Sequence, residues 1–205
     1  MASRPTASPS RSPSCATSAA FEGESGLVLG FGWFAKSNPF PEGAVLSVFA
    51  HPEGLLLQPY LRLKASRGMI STRAMEPDAW AVLPSDAAEE ALGAAVRAAF
   101  GRIETLSPAR FQARMQSPDW PPVAAFGTEG IRRALGLPPR MAVWSGMRHV
   151  SLRAEKDALV FVAMRPEGSA GGFSAFRPPR EIHCKTQGTD EQIGTTFREA
   201  LALCD

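Results

Sequence analysis

The strongest constraint on the fold is an amphipathic helix pattern that occurs twice in the chain, at an offset of 101 residues. The first copy lies in residues 86–100 and the second in residues 189–201. Apolar residues recur in both copies at the spacing of one helix face, which predicts two helices that each bury one side. We therefore predict an internal duplication. The offset aligns four identical pairs: Glu90 with Glu191, Gly93 with Gly194, Arg97 with Arg198 and Ala99 with Ala200.

Both helices begin with residues that favour a helix N-terminus. Thr189 and Gln192 have the spacing of a capping box, and Asp86 with Glu89 has a weaker form of the same pattern. Each helix also contains a glycine early in its body, although glycine there costs about 1 kcal/mol relative to alanine. A glycine at the same place in both helices predicts that each helix approaches a sheet closely.

Short β-like runs separated by turn residues precede each helix, and tight turns between successive strands favour antiparallel pairing. The predicted fold is α+β, with two pseudo-symmetric units of a β-meander and one helix, packed as one domain. In the first half the runs are residues 26–34, 44–49, 55–63, 68–74 and 80–83. In the second half they are residues 150–153, 159–164, 172–176 and 181–185.

The predicted domain organisation follows from these units. Residues 1–25 are rich in Ser, Pro, Ala and Arg and lack the apolar segment of a secretory signal, which predicts a disordered tail or a misplaced start codon. Residues 26–205 are predicted to form a single domain, with half-units at about 26–103 and 141–205. A connector rich in Pro and Arg, residues 104–140, joins them, and a short helix is predicted within it at 128–135.

The net charge of +2 is the sum of a basic middle segment and an acidic remainder. Residues 97–153 contain nine arginines and three acidic residues. A near-neutral chain is neither a uniformly basic coat for DNA nor an acidic nucleic-acid mimic. The arginines, with Trp120, Phe126 and Trp144 among them, suit phosphates and stacked bases, but they equally suit a protein interface or a solvated connector.

The cysteines and the hydropathy pattern limit the compartment and the class of site. Three cysteines without a CxxC pair argue against a disulfide framework and against a zinc site. The sequence has no apolar run of about 18 residues, the length that a membrane-spanning helix needs. We therefore expect a cytoplasmic protein that does not span a membrane.

A search for catalytic motifs finds no nucleophile elbow, HExxH, P-loop or EF-hand. His183 and Cys184 are adjacent in a predicted strand, so their side chains point to opposite faces. A dispersed site of these two residues with Glu181 is the remaining enzyme hypothesis. His51, in a turn, is expected to be exposed, and His149 to be structural. The prediction is no enzyme, no catalytic residue, no cofactor and no metal.

The second half carries a family pattern. Residues 147–152 form a short strand that contains methionine, and the unit that it opens ends in a helix with an acidic-acidic-x-Ile-Gly start at Asp190 to Gly194. That helix finishes as Ala-Leu-x-x-Cys, ending at Cys204. In these features the chain resembles the bacterial contact-dependent growth inhibition (CDI) immunity proteins, over most of residues 26–205. Such proteins are frequently acidic, whereas this chain has a basic connector.

The resemblance implies a small cytoplasmic protein that binds the toxic C-terminal domain of a delivered effector and blocks it by stoichiometric occlusion. Many such toxins are nucleases. Under this interpretation the candidate toxin contacts are Trp120, Phe126, Arg132 and Arg133. The two units are also similar to the Whirly arrangement of single-stranded nucleic-acid binders, a likeness of fold alone. The alternative function is therefore a single-stranded nucleic-acid-binding module that uses the connector.

Overall fold

Nine strands and four helices make up the part of the chain that the structure, a computed structural model, describes. Residues 36–205 form one compact unit, and all the described residues belong to it. The predicted tail and the strand predicted at 26–34 lie outside them. The described residues are 40–65, 68–122, 125–139, 142–167 and 172–205.

Most of the strands and helices lie close to their predicted positions. The strands are β1 Val45–His51, β2 Gly54–Ala65, β3 Gly68–Ala74, β4 Ala81–Leu83, β5 Thr105–Leu106, β6 Arg148–Ala154, β7 Ala158–Pro166, β8 Phe173–Ala175 and β9 Glu181–Lys185. The helices are α1 Glu89–Gly101, α2 Pro108–Met115, α3 Thr128–Ala134 and α4 Asp190–Ala202, with a 3-10 turn at Pro77–Ala79.

The two halves meet at the centre of a single sheet, where β1 and β6 pair antiparallel with Val48 opposite Val150. β2 flanks β1 and β7 flanks β6. One end of β2 pairs with β4 and the other with β3, while β7 pairs in the same manner with β9 and β8. The predicted α+β class with an antiparallel sheet is confirmed, and β5 adds a short parallel pair with β2. The duplication itself stays a prediction.

Helices α1 and α4 cover one face of the sheet, which we call the helix face. Alternate strand residues point toward the helices because successive side chains of a strand lie on opposite faces. Full burial of a Leu or Phe side chain contributes about 1.5–3 kcal/mol, so this core is the main source of stability. Its large fully buried side chains include Leu46, Leu55, Leu57, Leu92, Phe100, Leu152, Leu159, Phe161 and Phe197.

The two repeated glycines lie where α1 and α4 touch. A Cβ atom on Gly93 would lie 1.8 Å from the carbonyl oxygen of Asp190, and one on Gly194 would lie 1.9 Å from that of Glu89. Each glycine thus contacts the first turn of the other helix. The prediction that these glycines face a sheet is wrong, because both helices lie side by side on one face and approach each other most closely here.

The repeated arginines also reach between the two helices. Arg97 of α1 donates from Nη2 to the carbonyl oxygen of Gly188 at 2.9 Å and from Nε to Oδ1 of Asp190 at 2.8 Å. Arg198 of α4 donates from Nη2 to the carbonyl oxygen of Ala87 at 2.6 Å. Each guanidinium therefore binds the backbone just before the start of the opposite helix.

Only one of the two predicted capping boxes is formed. Thr189 Oγ1 accepts from the Gln192 amide at 3.2 Å, and Gln192 Oε1 accepts from the Thr189 amide at 2.9 Å, which confirms the box at α4. Helix α1 has Ala88 at its N-cap and no side-chain hydrogen bond there. The predicted box at Asp86 is wrong, because α1 begins at Glu89 and the Asp86 carboxylate lies outside the first turn.

The connector contains more secondary structure than was predicted from the sequence. The helix predicted at 128–135 is present as α3, but β5 and α2 were missed. Helix α2 begins with Ser107 as its cap and Pro108 at its first position, a recognisable start signal. Part of the connector covers the second face of the sheet, with a core of Phe49, Leu56, Trp80, Ile131, Leu135, Leu137, Val143 and Met147. No helix among the described residues is long and apolar enough to cross a membrane.

Candidate functional site

The two aromatic candidates, Trp120 and Phe126, stack on each other. Their ring centroids are 5.3 Å apart and their planes differ by 16°. Both are half-buried: Trp120 packs against a small cluster around Leu61 and Met75, and Phe126 against the core of the second sheet face. Trp120 Nε1 is buried, and none of the described residues accepts a hydrogen bond from it. The pair joins two apolar clusters while part of each ring remains at the surface.

The two basic candidates, Arg132 and Arg133, lie on α3 and share one carboxylate, but they differ in exposure. Arg132 pairs with Glu129 and donates to the carbonyl oxygen of Leu137 at 3.4 Å, so only 18% of its side chain is exposed. The Arg133 side chain is 78% exposed, and its Nη2 lies 3.7 Å from Glu129 Oε1. The hydrogen bond from Arg132 lowers the pKa of Glu129. Of the two, Arg133 is the one that presents its charge to solvent.

A charged cleft of about 630 Å³ lies beside Trp120. Arg114 bridges its walls: Nη2 lies 2.6 Å from Glu76 Oε1, and Nη1 lies 2.5 Å from Glu104 Oε2. The Arg114 Cζ also lies 5.6 Å from the Trp120 ring centroid. Asp78 and Asp119 add two exposed carboxylates, and Arg102 adds one more cation.

Sequence reasoning missed this cleft for a physical reason. Its acidic residues come from the 3-10 turn, the segment before β5 and the chain after α2, and no spacing pattern links them. Only the fold brings them together. The cleft carries two more acidic than basic side chains, because Glu76 and Asp78 come from outside the basic segment of residues 97–153.

Much of the basic excess in residues 97–153 is compensated inside the protein. Ion pairs with described carboxylates are formed by Arg97, Arg114, Arg132 and Arg153. Arg148 has a looser pair, with Nη1 3.7 Å from Asp205 Oδ2. Arg140 lies outside the described residues. Fewer free cations therefore face solvent than the count of arginines suggests.

His149 lies in β6 as predicted and is buried within an aromatic cluster. Its ring stacks on Phe49 at 4.6 Å and meets Phe173 edge-on at 5.0 Å. Trp144, considered above as a base-stacking residue, packs in the same cluster, 5.9 Å from Phe173. Neither ring nitrogen of His149 has a hydrogen-bond partner in the described part of the chain, and burial lowers the pKa of His149 to about 4. The imidazole is therefore neutral near pH 7.

His51 does not have the predicted exposure. The residue ends β1, and only 7% of its surface is accessible. Its Nδ1 accepts a hydrogen bond from the Glu53 amide at 3.2 Å. The prediction of an exposed turn residue is wrong. The β1–β2 turn folds against the loops that precede α1 and β6, and residues of those loops, Ser85 and Gly146, line the same pocket as His51.

The three residues of the enzyme hypothesis are only partly brought together. His183 Nε2 lies 3.9 Å from Glu181 Oε2 on one face of β9. Cys184 points toward the helix face, where its Sγ donates to the Lys185 carbonyl oxygen at 3.6 Å. A cleft of about 590 Å³ is lined by His183 and Cys184 without Glu181. Among the described residues, no group of three or more His, Cys, Asp or Glu side chains is placed to hold a metal ion.

The family comparison covers α1 to α4 and the whole connector between them. The sequence model of CdiI, the CDI immunity protein, matches residues 83–204. The chain belongs to the CDI immunity protein family. This confirms the resemblance drawn from the sequence, and an immunity family implies an inhibitor of a toxin rather than a catalyst. No curated protein sequence matches the chain significantly.

Two solved structures share the fold. A CdiA-CT/CdiI toxin and immunity complex from Yersinia pseudotuberculosis is similar with a TM-score of 0.58 and 15% identity, over 79% of this chain and 97% of that chain. A protein of unknown function from Neisseria meningitidis is similar with a TM-score of 0.54 and 20% identity, over 81% of this chain and 99% of that chain. At these identities the likeness concerns the fold of this CDI immunity protein.

Proposed function

We propose that this CDI immunity protein binds the toxic C-terminal domain of its cognate effector in the cytoplasm and neutralises it by one-to-one occlusion, without turnover. The family match over residues 83–204 carries the proposal. The likeness to a CdiI that is described in complex with its toxin supports it, since the two proteins share a fold over most of both chains. Occlusion requires a complementary surface and no catalytic group.

The proposed contact surface comprises Trp120, Phe126, Arg132 and Arg133. Stacked, half-buried aromatic rings and an exposed guanidinium are side chains of the kind that form interface hot spots. Arg133 is the proposed charged contact because most of its side chain is accessible. Arg132 is proposed to fix the end of α3 through its hydrogen bond to the Leu137 carbonyl oxygen. This bond would keep the neighbouring Arg133 in position.

The toxin is proposed to be a nuclease, and the charged cleft supports that choice. A nuclease surface that binds phosphates is basic, and complementary charge speeds association and excludes wrong partners. Asp78 and Asp119 give the cleft two exposed carboxylates outside the Arg114 bridges. The ion pairs that occupy much of the connector's arginine charge favour a protein partner over single-stranded nucleic acid.

Coexpression and calorimetry test the proposal. The wild-type chain should rescue cells that express the cognate toxin domain, and titration of the two purified proteins should give one site per toxin. Arg133→Glu should weaken binding, whereas Arg177→Glu, the same reversal at an exposed arginine of the second half, should leave it unchanged. Absence of both rescue and binding for the wild type contradicts the proposal.

The nucleic-acid alternative has its own test. Fluorescence anisotropy with single-stranded oligonucleotides at low and high salt should give no binding under the present proposal. Tight binding at low salt that falls steeply as salt rises would instead favour the connector as a nucleic-acid site, because released counterions dominate such binding.

A further inference from the structure

A small pocket of about 270 Å³ lies at the edge of the helix face, where β1 ends and β6 begins. Its polar wall is formed by His51 of β1, Arg148 of β6 and Arg198 of α4. Leu55 and Leu201 line the apolar side. None of the lining residues is acidic, and two of them carry a full positive charge. The pocket is distant in sequence from the proposed toxin contacts.

Of the two repeated arginines, Arg97 and Arg198, the charge of Arg198 is the less well balanced by nearby carboxylates. At the offset of 101 residues, Arg198 and Arg97 donate to the equivalent carbonyl oxygens of Ala87 and Gly188. Arg97 also has an ion pair with Asp190 at 2.8 Å. Arg198 instead donates to a second carbonyl, and among the described residues it forms no ion pair with a carboxylate. Its charge, partly removed from water, is therefore not neutralised by the protein.

The other two polar residues leave donors available beside that charge. Because His51 Nδ1 accepts from the Glu53 amide, we assign the ring proton to Nε2. His51 is more than nine-tenths buried. Its one hydrogen bond among the described residues is the one that Nδ1 accepts. Among the described residues, Arg148 has only the 3.7 Å approach of Asp205, which leaves most of its five N–H donors unengaged there.

We propose that this pocket binds a single oxyanion, a carboxylate or a phosphate group, through Arg148, Arg198 and the Nε2–H of His51. Guanidinium groups bind both anions in the same forked geometry, and a pocket of this volume holds one small group. The anion is either free in solution or the side-chain carboxylate of a bound protein. Asp205 competes for Arg148 when the pocket is empty.

Titration with inorganic phosphate and with acetate, followed by amide chemical shifts in NMR, tests the site. Sodium chloride at matched ionic strength serves as the reference. We expect saturable shifts at His51 and Gly146, and Arg148→Gln should weaken the affinity by about tenfold or more, the loss expected for one charged hydrogen bond. Asp205→Asn, which removes the competing carboxylate, should strengthen it. Absence of saturable shifts with both anions overturns the proposal.

Arg153→Gln is the matched control, since Arg153 lies on the same strand as Arg148 but outside the pocket, paired with Glu155. If Arg148→Gln and Arg153→Gln lowered the anion affinity equally, the binding would reflect general charge attraction, and the proposed site would be overturned. Arg198 is left intact in these variants because it also holds the backbone before α1. Arg198→Lys, which keeps the charge, should bind the anion more weakly while retaining the circular dichroism spectrum of the wild type.

A second arm identifies the source of the anion and rests on the proposed function. Toxin binding that is weakened by Arg148→Gln and by added phosphate identifies a toxin carboxylate as the occupant. Toxin binding unaffected by both identifies a free anion. A wild-type chain that binds phosphate but not the toxin contradicts the proposed function and leaves the anion site standing, so the two failures are distinct.

Discussion

The α-carbon of Gly93 in α1 lies so close to Asp190 in α4 that an added methyl group would sit 1.8 Å from the Asp190 carbonyl oxygen. Backbone atoms cannot move aside as a flexible side chain does, so the two helices must separate to admit a larger residue. The same relationship holds in reverse between Gly194 and Glu89. The close packing of α1 against α4 therefore requires glycine, which has no Cβ atom, at both positions.

Gly93→Ala is expected to lower the free energy of unfolding by about 1–3 kcal/mol, the usual effect of overpacking a buried contact. Gly101→Ala is the control, because Gly101 ends the same helix with no atom within 4 Å of an added Cβ. That change should be neutral or stabilising by up to about 1 kcal/mol. Urea denaturation measures both. Equal stability of the two variants would contradict the helix contact.

The His149 imidazole should make stability depend on pH. Its pKa is about 4 in the folded protein and near 6.5 when the chain unfolds, because burial disfavours the charged ring. The unfolded state then binds the proton more strongly, so stability is complete above pH 6.5 and falls as pH drops toward 4. The difference in pKa corresponds to about 3 kcal/mol.

His149→Phe isolates this effect, since a phenyl ring suits a site between Phe49 and Phe173 and has no proton to gain. Chemical denaturation at pH 4.5 and pH 7.5 should give a smaller loss of stability for the variant than for the wild type. The carboxylates are the same in both proteins, so their contribution to the pH dependence of stability cancels in the comparison. Identical pH profiles would exclude the buried histidine as the cause.

The two helix starts should respond differently to loss of their predicted caps. Thr189→Ala removes a formed capping hydrogen bond and should cost about 0.5–2 kcal/mol of stability. Asp86→Ala removes a carboxylate that caps nothing and should change stability by about 0.5 kcal/mol or less. Thermal or urea unfolding gives the comparison. A larger loss for Asp86→Ala would mean that α1 starts earlier than Glu89.

Trp120→Ala should affect toxin binding and stability by separate mechanisms. Because the indole is only half-buried, loss of the ring that stacks on Phe126 is expected to destabilise the protein by less than the roughly 3–5 kcal/mol of a core Trp→Ala change. Trp120→Phe keeps the packing and should retain most of the stability. Calorimetric titration of the phenylalanine variant with the toxin domain then reports the interface contribution of the indole.

Local signals predicted part of the local structure, although the Asp86 capping box was wrong and the Ser107–Pro108 start of α2 was missed. The Thr189 capping box and the helix at α3 were found because caps and apolar periodicity act over a few residues. Properties that depend on distant parts of the chain were not found. The burial of His51, the helix that faces Gly93 and the acidic cleft around Arg114 each require contacts between elements far apart in sequence.

The pairing of β1 with β6 makes the central seam of the sheet an interface between chain segments from opposite sides of the connector. After a protease cut in the connector, separation of the two pieces would expose a bare central strand edge on each of them to water. Such edges re-pair readily, and the crossed arginines of α1 and α4 would hold the pieces in register. The protein should therefore survive nicking there as a non-covalent pair of fragments, with neither fragment soluble on its own.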